Sequence, residues 1–450
     1  MKRKITTVFE KWKKNGARKP LLVYGARQVG KSYAIREFGL KNYQNLIEVD
    51  FERNALARTI FYGDLDPPGI IRSLEKMFDK RIQPQETLIF FDEIQSCPRA
   101  LTSLKYFAQD IERNLSHYQI IAAGSLLGVL TQHKREDTLE TIAFPVGKVE
   151  EVIVYPLDFE EFLWASDQEW LAEQIGKRFQ ALSPMDDVVH QQALKSYQDF
   201  LVVGGMPEVA ARFHDRDDFR QTQKGIIANY ISDMTKYRDN KLQSLKDIDV
   251  YGSIPTQLCR ENKKFIYSGV KKGGKGRDYY PSILWLKDAR IAIRCLKATV
   301  GNLPPKSSEN TDFFKLYLSD TGLLCYQLQV TSNNLNLYDR SYQGAITENY
   351  VACSLQSKIQ SLIHELHYWK TGEKTESAEV DFIIAFDDGN IPIEVKSGLR
   401  VHSQSLNVFV KKYSPKYAIR LSEKNFGWQN NIKSIPLYAA FCIEDTVSVK

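Results

Sequence analysis

The sequence has little cysteine. Its six cysteines, at 97, 259, 295, 325, 353 and 442, are scattered over 450 residues, and no two form a Cys-x-x-Cys pair. That spacing excludes a zinc knuckle and a disulfide framework, and it points to a reducing, cytoplasmic compartment. No apolar run approaches the roughly 20 residues needed to span a bilayer, so no membrane partner is expected. The basic start, Met1-Lys2-Arg3-Lys4, has no apolar stretch behind it, which argues against a secretory signal. There is no repeat of fixed period and no low-complexity tract.

What is present is ordinary for a soluble globular chain, with 43% apolar and 26% charged residues. A length of 450 residues implies about three domains. The net charge of +6 hints at a polyanionic partner, although a solvated basic surface gives the same figure.

The first third alternates helical patterns with short apolar runs. Leu21–Tyr24, Leu46–Val49, Thr87–Phe91 and Gln119–Ala123 read as strands buried on both faces, which predicts a parallel sheet with crossover helices. Met1–Lys19 reads as a helix whose Val8, Phe9 and Trp12 stripe packs on that sheet. A helical region follows from Asp158 to Tyr237, broken at Gly204-Gly205-Met206-Pro207. Ile254–Leu258, Phe265–Val270, Tyr279–Leu286 and Ile291–Lys297 fit helix, helix, helix, strand, the outline of a winged helix. Beyond the polar linker Thr331-Ser332-Asn333-Asn334 comes a helix holding Glu348. The strands His367–Trp369, Val380–Phe386, Ile391–Lys396 and Tyr417–Leu421 then dominate.

Two segments carry nucleotide chemistry. Gly25-Ala26-Arg27-Gln28-Val29-Gly30-Lys31-Ser32, followed by Tyr33, leaves an apolar strand and opens a helix. Glycines let the backbone wrap phosphates, and the helix N-terminus favours their charge. Lys31 is placed to reach the β- and γ-phosphates and Ser32 to ligate Mg²⁺. Leu88-Ile89-Phe90-Phe91-Asp92-Glu93 is a buried strand ending in two carboxylates, Asp92 for Mg²⁺ and Glu93 to polarise the attacking water. ATP and Mg²⁺ are the expected ligands.

These motifs, with Asp92-Glu93-Ile94-Gln95, Phe144-Pro145-Val146-Gly147-Lys148-Val149 and Tyr155–Phe162, resemble a prokaryotic AAA+ ATPase family with a largely uncharacterised C-terminal region. Gly204–Glu208, Tyr317–Leu324 and Glu348-Asn349 extend the resemblance nearly end to end. It implies kinship with archaeal origin-recognition ATPases, which join AAA+ to a winged helix. It also implies that Ser125, at the end of the Gln119–Ala123 strand, senses the γ-phosphate. Where many relatives carry Gly-Arg, this chain has Gly147-Lys148, which keeps the charge and loses the guanidinium fork. No arginine is marked as a trans finger; Arg99 and Arg113 are the nearest candidates by position.

In the C-terminal region, Asp388-Gly389 predicts a hairpin between two apolar runs. Pairing Asp387 with Asn390 sets Asp381 opposite Lys396 and Ile383 opposite Glu394. Asp381, Glu394 and Lys396 then share one face. Two acids beside a lysine suit a hard divalent cation. The arrangement resembles the PD-(D/E)XK nuclease core, with Glu348 as accessory acid and Gln404 as a substrate-orienting residue. An Asp–Lys pair is equally an ordinary cross-strand ion pair.

Between Asn262 and Arg277 lie Lys263, Lys264, Lys271, Lys272, Lys275 and Arg277, with no acid among them, and Tyr267 and the following Tyr279 and Tyr280 interleave with this basic stretch. Lysines and arginines bind phosphates, and tyrosines can touch sugars or bases, so DNA is the expected partner. The reading is therefore an α/β chain in four parts. A P-loop AAA+ core spans 1–157 and a helical lid 158–237. A winged-helix-like part spans 238–330 and a PD-(D/E)XK nuclease-like part 331–450. Two functions stay open: an ATPase acting on DNA, with cleavage at Asp381, Glu394 and Lys396, or an ATP-gated scaffold for a protein partner. A homo-oligomer is compatible with both.

Overall fold

The computed structural model describes residues 1–15, 19–125, 144–236, 238, 240–301, 304–332, 334–335, 340–359, 364–371, 378–386, 389–398 and 404–443. Contacts divide the chain into two compact units, residues 2–155 and residues 156–450.

The N-terminal unit is a five-stranded parallel sheet flanked by helices. Its elements are α1 (Ile5–Lys14), β1 (Leu21–Tyr24), α2 (Lys31–Asn42), β2 (Asn45–Asp50), α3 (Ala55–Thr59), α4 (Pro67–Phe78), β3 (Thr87–Asp92), α5 (Pro98–Glu112), β4 (Gln119–Ala123) and β5 (Glu150–Ile153). The strand order is β2-β3-β4-β1-β5. β1, β3 and β4 are buried along their whole length, which explains their unalternating apolar sequences. α1 buries Ile5, Phe9 and Trp12, so the expected stripe is present with Ile5 in place of Val8. β5 was not legible, because Glu150 and Glu151 break its apolar run.

The second unit opens with helices α6 (Phe159–Ala165), α7 (Glu169–Ala181), α8 (Asp187–Val203), α9 (Pro207–His214), α10 (Phe219–Lys236), α11 (Lys241–Leu258) and α12 (Gly276–Asp288). The Asp158–Glu161 capping box starts α6. Gly204 and Pro207 separate α8 from α9 as the sequence indicates. Next come β6 (Ala292–Ala298), β7 (Glu309–Leu318), α13 (Thr321–Gln327), α14 (Arg340–Gln356), β8 (Leu366–Lys370), β9 (Glu379–Phe386) and β10 (Gly389–Val395). α15 (Gln404–Tyr413), β11 (Ala418–Ser422), β12 (Gly427–Gln429) and β13 (Ile432–Pro436) complete the unit. The eight strands form one mixed sheet, β12-β13-β11-β10-β9-β8-β6-β7.

Three features differ from expectation. Phe265–Val270 contains only a short 3-10 turn, Tyr267–Gly269, not a helix. β6 pairs with β7 on one edge and, in parallel, with β8 on the other. The sheet therefore runs through the predicted division at 330/331. β6 is buried at six of its seven positions, and such a strand needs hydrogen-bonding partners on both edges, which a terminal wing does not give it. The β9–β10 ladder pairs Gly389 with Phe386 and Ile393 with Phe382, so the next pair outward is Glu394 with Asp381. The register is thus displaced by two residues from the predicted one. The shift is even, so Asp381 and Glu394 keep a common face. The predicted turn residues Asp387 and Asp388 lie outside the described residues.

Candidate functional site

The loop after β1 carries the signs of a phosphate cradle. Gly25 has φ +152°, and a Cβ there would lie 2.3 Å from the Val154 carbonyl oxygen. Gln28 and Gly30 also have positive φ, 67° and 87°, so the backbone coils tightly before α2. Lys31 is buried, and its ammonium donates to the carbonyls of Gly25 and Ala26 at 3.0 and 2.8 Å. The Arg3 guanidinium braces the loop from outside by donating to the Val29 carbonyl. Arg27 pairs with Glu52 at 3.3 Å, and Tyr33 is half exposed.

β3 delivers Asp92 to the same end of the sheet. Burial pushes its carboxyl up to about 6, opposed by a hydrogen bond with Ser32 and reinforced by the Glu93 charge. A carboxylate held this far from water gains strongly from a nearby cation. Glu93 sits in a left-handed conformation (φ 48°), and the Gln95 amide donates to its carboxylate. Ser125 is buried just past β4, the strand between β3 and β1. Lys31, Ser32, Asp92, Glu93 and Ser125 thus all lie at the carboxyl ends of adjacent parallel strands, where open α/β sheets bind ligands. Lys148 pairs instead with Glu112, at 2.6 Å. Arg99 donates to the carbonyls of Phe61 and Gly63.

The C-terminal cluster lies on the face of the sheet covered by α14. Glu348, on that helix, accepts from Lys315 at 2.8 Å, from the Tyr317 hydroxyl at 2.6 Å and from Lys263. Lys315 also reaches Glu379 at 2.8 Å and approaches Asp381 at 3.8 Å. Glu379 is shared with Lys370 at 2.8 Å. Lys396 holds Glu394 at 2.6 Å, and the Val395 N–H donates to Asp381 at 2.8 Å. Burial pushes Asp381 up to about 7, aided by the charges of Glu348 and Glu394. Burial raises Glu394 too, whereas the lysines at 263 and 315 hold Glu348 well below the usual range. The other Glu394 oxygen, Oε2, is buried without a hydrogen bond.

The sequence reading brought Asp381, Glu394, Lys396 and Glu348 together, and the structure does the same. It missed Lys315, Tyr317, Glu379 and Lys263. Two signals were available: Glu379 and Asp381 are two apart on one strand, and Lys315 interrupts the apolar run Phe313–Leu318. Gln404 is exposed at the start of α15. Among the described residues, no three His, Cys, Asp or Glu side chains are disposed to hold a metal ion. In the C-terminal cluster four carboxylates face four ammonium groups.

In the basic segment, Lys271, Lys272, Lys275 and Arg277 are exposed. Two of the three tyrosines are not offered as expected. Tyr279 is buried, and the Tyr280 hydroxyl accepts from Arg294 at 2.8 Å. Lys263 is turned inward to Glu348. Among the described residues, no helix is long and apolar enough to cross a membrane.

A glycine-rich loop between β1 and α2, with an acidic pair ending β3 in a parallel sheet, defines the N-terminal unit as a P-loop nucleotide-binding fold. Residues 17–163 match the family described as AAA domain. Residues 194–334 and 343–440 match two families described as domains of unknown function (DUF8612 and DUF4143). A glutamate racemase of Bartonella tribocorum is 29% identical over 119 residues, which are 22% of this chain and 42% of that enzyme. The chain thus covers less than half the length of that relative. Among solved structures, the Aeropyrum pernix ORC1 protein in complex with DNA aligns at 12% identity. It covers 74% of this chain and 87% of its own, with a TM-score of 0.26. RuvB of Thermotoga maritima gives 15%, 65%, 87% and 0.27 for the same quantities. AMPPCP-bound DnaA from Aquifex aeolicus gives 16%, 62%, 85% and 0.26.

Proposed function

We propose that this chain is an ATP-driven switch that works with DNA. The N-terminal unit would take Mg-ATP as substrate. The ammonium of Lys31 would exchange the Gly25 and Ala26 carbonyls for the β- and γ-phosphates, and Ser32 with Asp92 would hold the magnesium that accompanies them. Glu93, oriented by Gln95, would accept a proton from the attacking water. Ser125 would contact the γ-phosphate. The observation that carries this reading is the meeting of Lys31, Ser32 and Asp92 at the carboxyl ends of β1 and β3. DNA as partner is supported by the exposed Lys271, Lys272, Lys275 and Arg277 beside the N-terminus of α12, which suit phosphates.

For the C-terminal sheet, one observation favours a binding platform over a metal-dependent nuclease. The carboxylates that would hold a divalent cation are already paired with lysines. No cleavage step is therefore routed through Asp381, Glu394 and Lys396.

The test is ATP binding and hydrolysis, with and without duplex DNA, for the unaltered chain, Lys31→Ala and Glu93→Gln. Lys31→Ala should lose nucleotide binding. Glu93→Gln should bind ATP and turn it over roughly 100-fold or more slowly. DNA should raise the rate of the unaltered chain. Hydrolysis by Glu93→Gln at the unaltered rate would overturn the catalytic assignment. ATP binding without any DNA response, together with a stable protein partner, would favour the scaffold.

A further inference from the structure

We infer that Lys315 is a resident cation that completes the carboxylate cluster of the C-terminal sheet, in the place a divalent metal ion would take, so that this cluster needs and binds no metal. The inference is independent of the ATPase reading, since every residue in it belongs to the second unit.

The placement of the ammonium is the first argument. Lys315 is on β7, whereas Glu379 and Asp381 are on β9, with β8 and β6 between them. The side chain extends over both strands, and its ammonium lies 5.1 Å from the centre of the Tyr368 ring on β8. It ends between Glu348 on the covering helix and Glu379 on β9, at 2.8 Å from each, with Asp381 at 3.8 Å. A lysine 2% exposed at its side chain is stable only where carboxylates surround it. One positive group on β7 thus joins acids from another strand and a helix, which is the role a metal ion plays in a carboxylate site.

Charge balance is the second argument. Glu348, Glu379, Asp381 and Glu394 are matched by Lys263, Lys315, Lys370 and Lys396. A hard divalent ion needs uncompensated oxygens, typically six of them with waters. Both Glu348 oxygens and both Glu379 oxygens are engaged by ammonium groups. One Asp381 oxygen accepts the Val395 N–H, and one Glu394 oxygen accepts from Lys396. Two oxygens are left, Asp381 Oδ1, which Lys315 only approaches at 3.8 Å, and the buried Glu394 Oε2, too few to build a coordination shell of six. Adding a divalent ion would place two unbalanced positive charges in a buried site. Removing Lys315 would do the reverse and leave an anionic cavity bounded by three acids.

The test uses the full chain, with Mn²⁺ as the probe, read by calorimetric titration and by thermal unfolding. Mn²⁺ bound at the cluster is defined as binding that the double variant Asp381→Asn, Glu394→Gln removes, which separates it from any at Asp92. The unaltered chain should show none, and its melting temperature should not change with chelator. Lys315→Met should melt roughly 5–10 °C lower and recover part of that loss in Mn²⁺, with new binding at the cluster. Lys315→Arg should behave as the unaltered chain does. Cluster-dependent Mn²⁺ binding by the unaltered chain would overturn the inference. So would a folded Lys315→Met protein that gains no Mn²⁺ binding. If Lys315→Met does not fold, the titration of the unaltered chain against the double variant decides alone.

Discussion

The Arg3 guanidinium donates to the Val29 carbonyl in the nucleotide loop and to the Tyr155 carbonyl beyond β5, both at 2.8 Å. Arg3 is 7% exposed, so it fixes the loop from a nearly dry position. A hydrogen bond from a charged donor contributes about 1.5–3 kcal/mol, and an abandoned buried carbonyl loses its partner altogether. Arg3→Ala should therefore weaken binding of a fluorescent ATP analogue by about tenfold or more. Arg3→Lys, which reaches one carbonyl but not two, should fall between. An unchanged Kd in Arg3→Ala would show that the loop keeps its shape without the brace.

Asp92 predicts a pH dependence whose sign is fixed. Its carboxyl is raised from 3.8 to about 6 in the folded chain, chiefly by burial. The folded state thus holds the proton more tightly than the unfolded state. Stability must fall as pH rises from about 4 to about 6, and the full penalty, about 3 kcal/mol, persists above that. Asp92→Asn removes the penalty, and its amide oxygen can still accept from Ser32. Without nucleotide, the variant should melt several degrees higher than the unaltered chain at pH 7.5. The difference should close by about pH 4. Parallel melting curves across pH 4–8 would contradict the assignment.

The nucleotide site was legible in the sequence because its signals are local. A glycine loop, a buried strand and a helix start follow one another within a dozen residues, and each constrains the next. The C-terminal site was only half legible. Which residues share a face follows from period-two alternation, and that survived for Asp381 and Glu394. Their exact opposite partners depend on where the hairpin closes, and closure at Phe386–Gly389 moved the register by two. Lys315 could not be placed, because its neighbours on β9 are more than 60 residues away and two strands, β6 and β8, lie between. β6 misled for a related reason: a wing strand and a central strand begin alike, and only its pairing with β8 separates them.

Three short motifs of the second unit form a single knot. The Asp320 carboxylate accepts the N–H of Gly205 at 2.6 Å and of Leu323 at 2.8 Å. A Cβ on Gly205 would lie 2.1 Å from the Leu157 carbonyl oxygen, and one on Gly322 would lie 2.2 Å from that of Val203. Backbone cannot yield there without breaking the Leu157 N–H to Gly205 bond at 2.6 Å. Gly205→Ala and Gly322→Ala should each cost about 3 kcal/mol or more in denaturant unfolding. Gly225 in α10 and Gly252 in α11 meet nothing within 4 Å. Alanine at either should instead stabilise by about 0.5–1 kcal/mol. Equal effects at all four positions would refute the knot.

The basic segment makes a prediction about salt that separates two kinds of lysine. Lys271, Lys272, Lys275 and Arg277 are exposed, whereas Lys263 is committed to Glu348 and the Gly344 carbonyl. Each phosphate contact contributes about 0.9 to the slope of log affinity against log salt. Replacing the four exposed residues with alanine should weaken duplex binding by about tenfold or more near 100 mM salt. It should also flatten the slope by roughly 3.6. Phosphate contacts carry no sequence information, so the loss should be the same for unrelated duplex sequences. Lys263→Ala should lower the melting temperature and leave the salt slope unchanged, because its charge serves the carboxylate cluster. Fluorescence anisotropy over a salt series reads both outcomes, and an unaltered slope in the fourfold variant would move the DNA contact elsewhere on the chain.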